Sequence, residues 1–181
     1  LLATDLISKC LKGNKKAQLK LYNSYCDAML TIAFRYVRQR DLAEDITQEA
    51  FIKAFSNLDT FDGRCTFGAW LKQIVIYQSI DCLRRKTYDL SLDCDHILLA
   101  EEEEKSWIVE DSISVELIKS IVENLPLKYS LVLKLFLMEG YDHQEISEIL
   151  KISVNASRTQ LHRGKTMLKN ELIKQGYERF A

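Results

Sequence analysis

Chain-breaking residues are scarce along this sequence, and that scarcity narrows its folds more than any motif does. Of 181 residues only six are glycine and one, Pro126, is proline. Sandwiches and barrels need turn signals about every 8–12 residues, so long stretches without them favour helices. With 47% hydrophobic and 28% charged residues, the chain has apolar surface enough for a core and is not disordered by composition. The expectation is an all-α protein, with one ordinary domain or two small ones.

Charge is partitioned along the chain. Lys+Arg minus Asp+Glu is 14 − 9 = +5 for residues 1–86, 1 − 9 = −8 for 87–114 and 10 − 8 = +2 for 115–181. Two mildly basic blocks therefore flank an acidic stretch, which suits separate surfaces for separate partners and equally suits a solvated linker between ordinary domains. The connector contains four consecutive glutamates, Glu101 to Glu104, which repel one another and resist compaction, with a short helical piece expected near Trp107. The domains read as 1–86 and 115–181, joined by an acidic linker at 87–114.

The first block carries helical spacing. Thr4 or Asp5 is the expected cap of a short helix that Gly13 ends. Tyr22, Tyr25, Met29, Ile32 and Tyr36 then recur at three- and four-residue intervals. Ile46, Ala50, Phe51, Ala54, Phe55 and Leu58 form a second stripe, in a segment whose acidic first turn complements the helix dipole. After the turn "TFDGRCT", a third stripe of Phe67, Trp70, Ile74, Tyr77 and Ile80 ends in Arg84, Arg85 and Lys86. Three longer helices and a short one suffice for a small core.

In the second block, Pro126 disfavours helical geometry at Leu125 and hinges two helical stretches. Beyond it, "YDHQEISEILKISVNASRTQLHRGKTMLKNEL" divides at Lys151–Ile152. Asp142 with Glu145 three residues on forms a capping box, and Ser153 caps the next helix in the same way. Ile146, Ile149 and Leu150 face inward from one helix, and Leu161, Leu168 and Leu172 from the other. Arg158, Thr159, His162, Arg163 and Lys165 are left on the outside. Two capped helices about a tight turn, with basic and hydrogen-bonding side chains exposed, make a helix-turn-helix suited to the major groove. There Arg can bind guanine bidentately, and Lys can hold phosphate. A surface helix pair kept soluble by its charges is the competing reading.

Several words in order then make the chain resemble the extracytoplasmic-function sigma factors of bacterial RNA polymerase. They are D-x-x-Q-E-x-F at Asp45, Gln48, Glu49 and Phe51, F-D-G at Phe61 to Gly63, W-L at Trp70–Leu71, and D-x-L-R-R at Asp81 to Arg85. L-P at Leu125–Pro126 and L-H-R at Leu161 to Arg163 complete the set. The resemblance implies an initiation factor without catalytic chemistry or cofactor, binding core RNA polymerase and both duplex and melted promoter DNA. It implies that Asp45, Gln48 and Glu49 meet the beta-prime clamp helices, with the beta subunit a further partner. It also implies that Phe61, Asp62, Gly63, Arg64 and Cys65, with Arg84, Arg85 and Lys86, serve the −10 element. Arg158, Thr159, Gln160, His162, Arg163 and Lys165 would serve the −35 element. An anti-sigma factor is a further implied partner, and the acidic connector would thread polymerase channels used later by nucleic acid.

Departures from the family pattern occur where the turns and the recognition helix are built. Gln160 stands where many members have Arg, Tyr77 where many have Asn, Lys151 where Gly is frequent, and Asn155–Ala156 where Gly-Thr is common. Ser157 replaces a β-branched apolar residue and is expected to loosen helix packing.

Other chemistries find little support. Five cysteines without a C-x-x-C pair read as reduced cytosolic thiols, and Cys94, His96, His143 and His162 lack zinc spacing. There is no phosphate-binding glycine loop and no nucleophile elbow. No apolar run of about 18 residues suggests a membrane span. Hence a cytoplasmic location, no membrane insertion and no metal are expected. Leu1 in place of methionine is compatible with a native start upstream. A free-standing helix-turn-helix regulator and a protein-interaction module remain as rival functions at this level.

Overall fold

A computed structural model describes residues 2–86 and 113–177, the side chains of residues 2–4 and of Lys86 excepted. The connector read at 87–114, with its glutamate run, Cys94, His96 and Trp107, lies outside the described residues apart from Ile113 and Ser114. The chain divides into two compact units, Leu1–Tyr88 and Asp89–Ala181, and every regular element among the described residues is helical.

The first unit contains α1 (Leu2–Leu11), α2 (Lys15–Val37), α3 (Arg40–Ser56), a single 3-10 turn at Leu58–Thr60, and α4 (Phe67–Lys86). α1 starts at Leu2, ahead of the expected caps Thr4 and Asp5, because nothing in its first residues breaks a helix. Asn14 caps α2, its Oδ1 accepting from the Ala17 amide at 3.1 Å. α2 ends in a left-handed Arg38 (φ 55°), and α3 begins two residues later.

Between α2 and α3 the buried alanines Ala33, Ala43, Ala50 and Ala54 let the backbones approach, while Leu21, Met29 and Phe51 fill the remaining space. Along α4 the buried positions are Phe67, Leu71, Val75, Ile76, Ser79 and Ile80, the Ser79 hydroxyl donating to the Val75 carbonyl at 2.8 Å. Trp70, Ile74 and Tyr77, expected to face inward, are only half-buried. The stripe turns by about one residue because α4 packs against both α2 and α3, and a two-sided contact needs a wider face than a single 3–4 spacing describes.

The second unit contains α5 (Val115–Asn124), α6 (Leu127–Leu133) continued by a π turn at Lys134–Met138, α7 (His143–Leu150) and α8 (Val154–Lys174). Leu125 is extended (φ −69°, ψ 157°), as Pro126 requires. The π turn was not legible in the sequence. It carries Lys134 inward, leaving that side chain 3% exposed.

The expected capping box is present. Asp142 Oδ1 accepts from the Glu145 amide at 2.8 Å, and Glu145 Oε2 accepts from the Asp142 amide at 2.9 Å. Ser153 Oγ accepts from the Ala156 amide at 3.0 Å. Between α7 and α8 the turn rests on Lys151 in the left-handed region (φ 55°, ψ 44°), its amide donating to the Ser147 carbonyl. A residue with a Cβ is strained there by roughly 1 kcal/mol, and the tight turn persists because capped helices hold it on both sides.

Candidate functional site

On α3, Asp45, Gln48 and Glu49 sit at i, i+3 and i+4 and are all exposed, so they share one outward face. Ile52 continues that face and is 67% exposed. Sequence reasoning did not single it out; falling off the Ile46–Ala50–Ala54 stripe is the signal that places it outside. Beside this face, Glu44, Thr47 and Gln48 line a groove closed from α2 by Tyr22, Cys26, Asp27 and Leu30. Carboxylates, an amide and an exposed aliphatic side chain together suit a helical partner with basic residues around an apolar strip.

Before α4, the loop is organised by its own polar groups. Asp62 Oδ1 accepts from the Arg64 amide at 3.0 Å, while Arg64 Nε lies 3.0 Å from Asp62 Oδ2. Gly63 between them has φ 76°, a region where glycine carries no Cβ penalty. Asp62, Gly63, Arg64 and Cys65 are exposed, whereas Phe61 is half-buried and Phe67 buried. The ring of Phe61 packs against Phe67 (5.9 Å, 84°) and Trp70 (5.4 Å), and Tyr25 meets Phe67 at 5.4 Å. Thr66 caps α4, accepting from the Ala69 amide at 3.2 Å; its role was missed in the sequence.

Arg84 and Arg85 belong to the last turn of α4. Arg84 is half-buried, 3.4 Å from Asp81, and Arg85 is exposed; the Lys86 side chain is outside the described ones. With about 1.5 Å rise per residue, these arginines stand roughly 25 Å along α4 from the loop. The two groups assigned to the −10 element thus stand at opposite ends of one helix.

α8 corrects part of the expected basic face. Arg158 and His162 are exposed one turn apart, with Arg163 and Lys165 half-buried beside them. Thr159 and Gln160, expected to face outward, are only 9% and 6% exposed. Gln160 lies one turn before Gly164, where α8 rests on α6: a Cβ there would come within 3.0 Å of Leu133 Cδ1 and 3.4 Å of Tyr129 Cβ. This close approach draws the 160 position toward α6, and the Gln160 Oε1 is buried without a hydrogen-bond partner among the described residues.

The expectation for Ser157 is corrected as well. Ser157 is fully buried, and its hydroxyl lies 2.9 Å from Nδ1 of His143, the first residue of α7. The His143 ring stacks on Phe136 (5.2 Å, 28°), and Lys165 Nζ lies 5.5 Å from the Phe136 ring centroid. Polar contact replaces apolar packing here.

Cys10, Cys26, Cys65 and Cys82 are free thiols. Burial pushes the Cys10 thiol above its usual pKa, away from thiolate reactivity. Among the described residues no group of three or more His, Cys, Asp or Glu is placed to hold a metal, and no helix is long and apolar enough to cross a membrane.

Comparison with known proteins follows the two units. Residues 21–88 match Sigma-70 region 2 and residues 116–168 match Sigma-70 region 4. The chain is 34% identical over 176 residues to the ECF RNA polymerase sigma factor SigW of Bacillus subtilis, covering 92% of this chain and 94% of the relative. This chain belongs to the extracytoplasmic-function sigma factors. Another member, the ECF RNA polymerase sigma-E factor of Haemophilus influenzae, is 26% identical over 182 residues, covering 92% of this chain and 93% of the relative. The sigma factor shares its fold with the RpoE chain solved with the anti-sigma factor NepR from Bartonella quintana (TM-score 0.55, 19% identity, 88% of this chain and 97% of that one). It shares it also with CnrH solved with the cytosolic domain of CnrY (TM-score 0.53, 20% identity, 95% and 97%). It is an alternative sigma factor, serving promoter recognition and transcription initiation.

Proposed function

We propose that this sigma factor docks on core RNA polymerase through the α3 face and reads the promoter with two further surfaces. Asp45, Gln48 and Glu49, extended by Ile52, meet the beta-prime clamp helices, with the beta subunit contacting other parts of the chain. The loop from Phe61 to Cys65 takes an unstacked base of the −10 element, where stacking and hydrogen bonds offset the few kcal/mol that unstacking costs. Arg84, Arg85 and Lys86 hold phosphates farther along. On α8, Arg158 and His162 face the −35 major groove, with Arg163 and Lys165 at its phosphate rim. Thr159 and Gln160 contribute through packing, not through base contact.

The domains are 1–86 and 115–181, and the acidic connector 87–114 runs through polymerase channels in place of nucleic acid. The factor acts in the cytoplasm, performs no catalysis and is held inactive by an anti-sigma protein, a reading supported by the RpoE structure, which was solved with the anti-sigma factor NepR. One observation carries the reading: within the two matched regions, α3 exposes acids and an amide, while α8 exposes bases. Reconstitution with core polymerase on a fragmented genomic template tests it. Transcripts from defined starts that require the factor are expected, whereas duplex binding without polymerase association would replace it with a free-standing regulator.

A further inference from the structure

We infer that His143 is a positioning residue for promoter recognition, setting the α8 recognition helix against α7 through its contact with Ser157. The inference rests on the reading of α8 as the −35 helix, and goes beyond it by naming a residue that touches no DNA.

Its geometry differs from a generic core contact. His143 is the first residue of α7 and Ser157 lies in the first turn of α8, so their 2.9 Å contact joins the start of one helix to the start of the next. It therefore spans the turn built on strained Lys151 and bypasses it. A serine inside a helix usually returns its hydroxyl to the carbonyl four residues back; here that hydroxyl reaches across to a different helix. Ser157 is 0% exposed, so without His143 its hydroxyl must turn back to the carbonyl of Ser153 four residues earlier or go unpaired, and either way the link between α7 and α8 is lost.

The imidazole is itself held. Phe136 stacks on it at 5.2 Å, fixing the plane from the π turn that continues α6. The same Phe136 ring receives Lys165 Nζ at 5.5 Å, two turns along α8 from Ser157. α8 is thus attached to the His143–Phe136 pair at two points, which fixes its rotation as well as its height. Arg158 follows Ser157 directly in the chain, so the direction in which Arg158 leaves the helix depends on where Ser157 is pinned. Apolar packing at position 157 would be non-directional. A hydrogen bond to a stacked ring is directional.

The test uses full-length chain in reconstituted holoenzyme, with His143→Ala, Ser157→Ala and the double variant. Each is assayed on a promoter with its −35 hexamer intact and on one with that hexamer scrambled. The native factor is expected to prefer the intact promoter. Each single variant should lose about three- to tenfold of that preference, the worth of one buried hydrogen bond, with polymerase association unchanged. The double variant should lose no more than either single one, since coupled residues are not additive. The ¹⁵N imidazole resonances of His143 should shift in Ser157→Ala at temperatures where the chain stays folded.

Lower thermal stability with the promoter preference intact would assign a merely structural role and overturn the proposal. Additive losses in the double variant, or imidazole resonances indifferent to Ser157, would overturn it also. A native factor that treats both promoters alike would sink the −35 reading and this inference with it; native discrimination retained by every variant would sink the inference alone.

Discussion

At position 158 the side chain of Arg158 leaves α8 into solvent, while two residues later Gln160 is turned inward. This contrast assigns different tasks to neighbours that look alike in sequence. Replacing Arg158 or Arg163 by Ala should weaken −35-dependent initiation by about 1–3 kcal/mol for a base contact and less for a phosphate contact. Polymerase co-purification should stay as in the native chain; its loss would refute the division of surfaces. Lys151 offers a second residue-scale test. Lys151→Gly should relieve the left-handed strain and raise the stability of the second unit by about 0.5–1 kcal/mol in denaturant titration. An unchanged or lowered midpoint would show that the turn carries no such strain. The inward orientation of Gln160 was not legible beforehand, because it depends on how closely Gly164 lets α8 approach Leu133. A list of polar residues on a helix carries no such distance.

Elements were more legible than single residues. Caps and apolar spacing are local, so the capping box at Asp142 and Glu145, the Ser153 cap and the break at Pro126 could be placed from short windows. The π turn at Lys134–Met138 could not, because no residue type announces it. The rotation of α4 escaped because its burial is decided by two partners. Asp142→Ala removes the side-chain half of the capping box, the acceptor of the Glu145 amide, and leaves the backbone amide that donates to Glu145; it should cost the second unit about 1 kcal/mol in thermal or denaturant melts. On α3, reversing Asp45 and Glu49 to Lys should reduce co-purification with core polymerase about tenfold or more, since like charges placed against a basic partner cost several kcal/mol. Unaltered co-purification would move the docking surface elsewhere. The exposed Ile52 beside them shows what charge-based reasoning overlooks, an apolar residue within a polar face.

For the molecule as a whole, the proposed function has two units and a connector place modest DNA-reading surfaces on one polymerase. The second block carries a net charge of only 10 − 8 = +2, too small a field for strong independent duplex binding. Tethering raises the effective concentration of the second surface once the first is engaged, by factors of about 10²–10⁴ in overall avidity. The isolated chain should therefore bind promoter duplex at least about a hundredfold more weakly than the holoenzyme does, in equilibrium titrations at one salt concentration. Equal affinity would contradict the tethered arrangement. The loop before α4 adds a consequence for how such factors diversify. Asp62 and Arg64 brace each other, Gly63 faces open space, and only Phe61 anchors the segment below. If this loop meets the −10 element as proposed, exchanges at the exposed Arg64 or Cys65 would alter what is recognised while the helices beneath go on folding as before, whereas Gly63 at φ 76° is held to glycine by its backbone; target choice then drifts at a few positions with little effect on stability.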